Sequence, residues 1–124
     1  MNKIFLLFSS GGIGTLLRFT ISGWTNKQFG QEFPFGTLAV NLIGCLIIGA
    51  LAGINEKGFL EEEMKLLLFT GLLGGFTTFS SFSLESLQLF RNGQLVHFIT
   101  YVVISNLGGL ALAYSGFLLF KSRA

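Results

Sequence analysis

Four apolar segments, each about as long as a bilayer is thick, leave this chain few ways to fold. They cover residues 4–24, 36–54, 64–90 and 95–120, and only short polar connections separate them. The hydrocarbon core of a membrane takes about 20 helical residues to cross, and backbone groups in lipid must find their hydrogen bonds internally. We therefore predict an all-α membrane protein in which residues 1–124 form one domain of four transmembrane helices.

Composition and charge exclude several other classes of protein. Charged residues make up 11% of the chain, whereas a typical soluble domain has about 25%. The net charge of +2 is small and scattered, so the basic stripe of a nucleic-acid-binding protein is absent. No catalytic triad pattern, phosphate-binding loop or metal cluster is found, and the single cysteine, Cys45, lies in an apolar run. We predict that the protein is not an enzyme and has no nucleic-acid partner.

The charges between the segments bear on orientation. Four spans place both termini on one side, and the cationic residues of that side are Lys3, Lys57, Lys65, Lys121 and Arg123. The other side has Lys27 and Arg91, with Arg18 deeper in the first span. Positive residues favour the cytoplasmic side. This modest excess is compatible with insertion in both orientations, although taken alone it favours cytoplasmic termini.

The third span contains an unusual polar run, GGFTTFSSFS, from Gly74 to Ser83. Glycine is a poor helix former, and serine and threonine bond to nearby backbone instead of extending a helix. We predict a helix break near residues 74–78. Broken helices within a membrane are buried in protein or line water, and transporters use their free carbonyls to bind cations.

Polar residues also lie within the other three spans. Thr37 and Asn41 share one face of the second span, and Asn41 either bonds to another helix or lines a wet path. Arg18 in the first span either reaches the interface or draws anions inward. Tyr101 and Ser105 share a face of the fourth span, so Ser105 is a candidate pore wall, while Asn106 points elsewhere and is expected to bond to another helix.

Phe79 and Phe82, three residues apart, face the same way along the helix that follows the break. The edge of an aromatic ring carries partial positive charge, so such edges, together with hydroxyl and amide donors, can hold a small anion in place of water. Ordinary core packing is the alternative explanation for the pair.

Taken together, these motifs resemble the bacterial fluoride channel family of the Fluc/CrcB type, which are small dual-topology fluoride exporters. The resemblance covers nearly the whole chain: GTLLRF from Gly14 to Phe19, FGTLAVNLIG around Asn41, and GLLGGFTTFSSFSLE in the third span. The third motif is highly specific, whereas each of the others is weak alone. The resemblance implies passive export of fluoride across the bacterial inner membrane by a multi-pass protein.

The same resemblance implies an antiparallel homodimer and assigns site residues. A structural sodium ion at the dimer centre would be held by the backbone carbonyls of Gly74 and Thr77. The residues implied for the fluoride path are Asn41, Phe79, Phe82, Ser80, Ser81, Ser83 and, less directly, Arg18 and Glu85. A dimer is also favoured on physical grounds, because a lone four-helix bundle fills its own interior with side chains.

Two other functions fit four apolar helices. A small multidrug or cation antiporter needs a carboxylate within the membrane, typically in its first helix, but here Glu85 is the only acidic residue inside any span. A noncatalytic membrane subunit would use the glycines and hydroxyls for packing alone.

Overall fold

The computed structural model describes residues 2–121, and the four predicted spans are confirmed as helices in that range. The helices are α1 (Lys3–Phe29), α2 (Phe35–Ile54), α3 (residues 62–76), α4 (Phe79–Arg91) and α5 (Leu95–Phe120). The third predicted span corresponds to α3 followed by α4. All four spans are long and apolar enough to cross a membrane, and residues 2–121 contain no strand. Arg123, which was counted among the cationic residues, lies outside the described residues.

Local signals in the sequence explain where the helices end. The Asn2 side chain caps α1 by accepting from the Ile4 amide at 2.8 Å, and Gly30 ends it with a positive φ of 88°, a conformation that glycine adopts without strain. The first helix therefore runs five residues beyond the predicted limit at Trp24. The extra turn is held by Asn26, whose Oδ1 accepts from the Gly36 amide at 2.8 Å.

Helix α1 packs against α3 through very close backbone approach. A Cβ atom on Gly14 would overlap the Leu72 carbonyl, and one on Gly75 would overlap the Gly11 carbonyl. Small residues permit this approach in membrane helices, where van der Waals packing drives association. The two helices run parallel, as alternate spans of an up-down bundle should.

Helix α2 packs against α5 in a second glycine seam. A Cβ on Gly49 would overlap the Ala113 carbonyl, and Gly53 and Gly116 are similarly close to backbone of the facing helix. Gly49 and Gly53 form a GxxxG pair, a spacing that is typical of helix contacts in membranes. We refer to Gly49, Gly53, Gly116 and Ala113 as the α2–α5 seam.

The third span breaks at Thr77 and Thr78, inside the predicted range of 74–78. Thr77 has φ −91° and ψ 160°, and Thr78 has φ −150° and ψ 112°; both conformations are extended. Gly74 remains helical, so the break begins at Thr77, three residues after the first glycine of the polar run. Two π-helical segments, Leu66–Leu73 in α3 and Ile104–Gly108 in α5, were not predicted.

Candidate ion path at the helix break

The side chain of Asn41 takes the place of helix hydrogen bonds at the break. Its Oδ1 accepts from the Thr78 amide at 2.8 Å, and its Nδ2 donates to the Thr78 carbonyl at 3.1 Å. Both bonds cross from α2 to the third span. An unpaired backbone group inside a membrane is costly, so this amide makes an extended residue acceptable at that depth.

Two backbone carbonyls at the break, those of Gly74 and Thr77, lack their ordinary helical donors. In a continuous α-helix the carbonyl of residue i accepts from the amide of residue i+4. For Gly74 that amide is Thr78, which donates to Asn41 instead. For Thr77 it is Ser81, which donates to the Thr78 hydroxyl at 3.2 Å. These two carbonyls are therefore available to another electropositive partner.

A third carbonyl at the break is bound by a cationic side chain. Arg18 Nε in α1 donates to the Gly75 carbonyl at 3.0 Å. A cation is favourable at the C-terminal end of a helix because carbonyl dipoles point toward it. The structure thus places Arg18 against the end of α3. The sequence had offered two alternatives for this side chain, reaching the membrane interface or attracting anions.

Hydroxyl groups cap the helix that starts after the break. Thr78 is the N-cap of α4, and its Oγ1 also lies 3.1 Å from Ser81 Oγ and 3.4 Å from Ser80 Oγ. A hydroxyl side chain therefore caps the second half of the third span. Ser81 is half-buried, whereas Ser80 and Ser83 are exposed on the single chain.

The aromatic pair predicted after the break is also formed. The rings of Phe79 and Phe82 have centroids 5.6 Å apart and are tilted by 43°, and Phe82 contacts Tyr101 with centroids 5.1 Å apart. Phe79 is 76% exposed, so this ring projects from the chain rather than into its core.

A cavity of about 340 Å³ opens beside the break and brings several predicted residues together. Its lining comprises Asn41, Gly44, Cys45, Ile48, Phe69, Leu73, Gly74, Thr77, Thr78, Phe79, Phe82, Ser105 and Asn106. Four of the residues predicted for the fluoride path are among them: Asn41, Phe79, Phe82 and Ser105. The other predicted residues, Arg18, Ser80, Ser81, Ser83 and Glu85, do not line this cavity.

Glu85, one turn beyond Ser81 in α4, links the third span to α2 and α5 through side-chain hydrogen bonds. Its Oε2 accepts from Thr37 Oγ1 at 2.9 Å, and its Oε1 accepts from Tyr101 Oη at 3.0 Å. Tyr101 is fully buried. Two donors converge on the only acidic residue inside the predicted spans, so the carboxylate is fixed rather than facing lipid.

The fourth span contributes two adjacent polar side chains to the cavity. Ser105 Oγ is buried without a hydrogen-bond partner among the described residues, and Asn106 Nδ2 donates to the Val102 carbonyl of its own helix at 2.8 Å. The sequence assigned Ser105 to the wall and expected Asn106 to bond to another helix. That expectation for Asn106 was wrong, because its side-chain hydrogen bond lies within α5 and the residue lines the same cavity as Ser105.

Sequence reasoning missed the central position of Thr78 and the partners of Glu85. The sequence identified Thr37 only as a neighbour of Asn41. In the structure Thr37 donates to Glu85 in α4, whereas Asn41 accepts from Thr78 at the break. The spacing of Thr37 and Asn41 on one face of α2 was the available signal, since both contact the third span.

Known proteins resemble this chain over almost its whole length. Residues 5–117 match the family described as "CrcB-like protein, Camphor Resistance (CrcB)". A relative from Methylobacillus flagellatus, named "Fluoride-specific ion channel FluC", is 47% identical over 98% of this chain and 96% of its own. Proteins with the same name from Rhizobium etli and Parabacteroides distasonis are 41% and 43% identical, covering 100% and 98% of this chain and 100% and 95% of their own.

Proposed function

The chain belongs to the CrcB-like family, and from that membership we propose that it is a fluoride-specific ion channel of the bacterial inner membrane. The observation that carries this proposal is the convergence of Asn41, Ser105 and the Phe79–Phe82 pair on one cavity beside a broken span. Full-length similarity to fluoride channels favours this function over a drug antiporter or a packing subunit. A channel catalyses no covalent reaction, so the protein is not an enzyme.

Fluoride moves passively along this path in the proposed mechanism. The anion exchanges water for hydroxyl and amide donors and for the positive edges of aromatic rings. Because hydrogen fluoride crosses membranes and ionises in a less acidic cytoplasm, the trapped anion can leave down its own gradient. Export therefore needs a selective path but no nucleotide hydrolysis.

The path is completed by a second copy in an antiparallel homodimer. Ser80, Ser83 and Phe79 are exposed on the single chain, although two are hydroxyl residues within a span, where exposure to lipid is unfavourable. A partner covering this face of α4 would supply the missing wall. The weak charge asymmetry between the two sides supports insertion in both orientations.

A sodium ion at the centre of that dimer would be held by the Gly74 and Thr77 carbonyls of both copies. These residues fit a hard cation, since sodium prefers oxygen ligands and the amides that usually occupy both carbonyls donate elsewhere. Both residues line the cavity. Two carbonyls from one chain are too few for a complete site, so the proposal requires the second copy. When bound, the ion would stabilise the break by neutralising converging carbonyl dipoles.

Fluoride efflux from proteoliposomes tests the proposed function. Purified protein is reconstituted with internal potassium fluoride, valinomycin is added, and a fluoride electrode records release; matched vesicles contain potassium chloride. We expect rapid fluoride release and chloride release near that of protein-free vesicles. Fluoride release no faster than from protein-free vesicles, or equal release of both halides, would contradict the proposal.

A further inference from the structure

The cavity offers few hydrogen-bond donors once those engaged in the fold are counted. A carboxamide has two N–H donors and one carbonyl acceptor. Asn41 uses its acceptor and one donor on the backbone of Thr78, and the Thr78 hydroxyl is directed to Ser81. Asn41 therefore has one N–H left for an anion, and the unpartnered Ser105 hydroxyl is a second donor. A fluoride ion that sheds its water needs more than two.

Asn106 is placed to supply the next donor. It lines the same cavity as Asn41 and Ser105, and its bond to the Val102 carbonyl at 2.8 Å uses one N–H and leaves the other. That bond also restricts the amide's orientation, which lowers the entropy cost of presenting the free N–H. Asn106 lies within the π-helical segment Ile104–Gly108, and such segments occur frequently at functional sites.

The exposure of Asn106 also supports a role as a hydrogen-bond donor in the path. The residue is exposed on the single chain, inside a span that is otherwise strongly apolar. An amide facing hydrocarbon with an unused N–H and carbonyl is unfavourable. The bond to the Val102 carbonyl satisfies only the other N–H, so the unused N–H and the carbonyl must meet water or an ion in the path, or the second copy.

We infer that Asn106 is a specificity-determining residue of the fluoride path, and that its second amide N–H donates to the anion beside Asn41 and Ser105. This inference rests on the proposed fluoride channel function and assigns that site a further donor. Fluoride accepts stronger hydrogen bonds than chloride does, so a fixed donor at this point favours fluoride.

The test compares two substitutions of Asn106 with a control on the same helix. N106L keeps the volume and removes all donors, whereas N106T retains a hydroxyl that can bond to the Val102 carbonyl but leaves no second donor. S115A is the control, because Ser115 also bonds to its own helix, at Ala111, and does not line the cavity. Fluoride and chloride efflux are measured for wild type and each variant after the amount of folded protein has been matched by size-exclusion chromatography.

We expect fluoride efflux to fall by about tenfold or more in N106L and in N106T, the factor for losing one bond to a charged group, and to be unchanged in S115A. If N106L does not fold, the N106T result decides. Efflux from a folded N106T variant within twofold of wild type would overturn the inference while leaving the proposed function intact. Absence of fluoride efflux from wild type would instead overturn both.

Discussion

The α2–α5 seam and the helix break use glycine and small polar residues in opposite ways. In the seam, Gly49 and Gly116 lie so close to the facing backbone that a methyl group would not fit. At the break, Thr78 has an extended backbone between α3 and α4, and its amide and carbonyl are bound by the Asn41 side chain from α2. The seam is held by close van der Waals packing of two backbones. At the break, side-chain hydrogen bonds replace regular helical ones, and a cavity opens beside them.

The difference indicates where each kind of change should act. Enlarging a residue in the seam should lower stability without altering the chemistry of the path. Changing a polar group at the break should alter ion flow, since the same groups hold the extended residues and face the cavity. Four substitutions separate these outcomes.

The largest effect is expected for Asn41→Leu. It leaves the Thr78 amide and carbonyl unpaired, at a cost of about 1–3 kcal/mol for each buried group, so both folded yield and fluoride efflux should collapse. Asn41→Asp keeps the acceptor for the Thr78 amide and should be intermediate in thermal stability, measured by size-exclusion chromatography after heating. A leucine variant as stable and as active as wild type would show that the cross-span bonds are dispensable.

Gly49→Ala should have the next largest effect and should act on stability alone. The added methyl group meets the Ala113 carbonyl, and overpacking of this kind costs about 1–3 kcal/mol. Gly23→Ala is the matched control, because nothing lies within 4 Å of a Cβ there and alanine is the better helix former. Equal melting temperatures of the two variants would contradict the predicted loss of stability. A loss of efflux per folded Gly49→Ala channel would contradict the prediction that the seam affects stability alone.

The sequence predicts the four spans and the approximate position of the break because both depend on local patterns. It places the break at 74–78, but the chain stays helical through Phe76, and within that helical part Gly75 packs closely on the Gly11 carbonyl of α1. Poor helix propensity of a glycine is thus outweighed by tertiary packing.

Partners across the bundle are less accessible to sequence reasoning. Asn41 is recognisable as a polar residue that must find a partner, but nothing local identifies that partner as the backbone of Thr78. The same holds for Glu85 between Thr37 and Tyr101. The π-helical segments also have no simple residue signature, although one of them contains both polar wall residues of α5.

Phe82→Ile should reduce fluoride efflux while leaving the protein folded. The substitution removes a ring that lines the cavity, and we expect about a tenfold loss, the factor that corresponds to ~1.4 kcal/mol in a barrier. Phe90→Ile removes a ring from the same helix that pairs with Phe98 at 5.5 Å and does not line the cavity. If both variants conduct equally well, the aromatic pair serves packing only.

Tyr101→Phe should produce the smallest change. It preserves a fully buried ring and removes the donor to Glu85 Oε1, so a loss of about 1 kcal/mol in the free energy of unfolding is expected. Tyr114→Phe changes a 64% exposed residue of the same helix and should have no effect. A stability loss in Tyr114→Phe as large as in Tyr101→Phe would argue against a fixed Glu85 network.

An experimental density map of the purified protein in sodium-containing buffer tests the account most directly. We expect the third span to be interrupted at Thr77 and Thr78 in two oppositely oriented copies, with a peak on the twofold axis contacted by the Gly74 and Thr77 carbonyls of both. An unbroken third span, or two copies lying parallel with no density between those carbonyls, would contradict it.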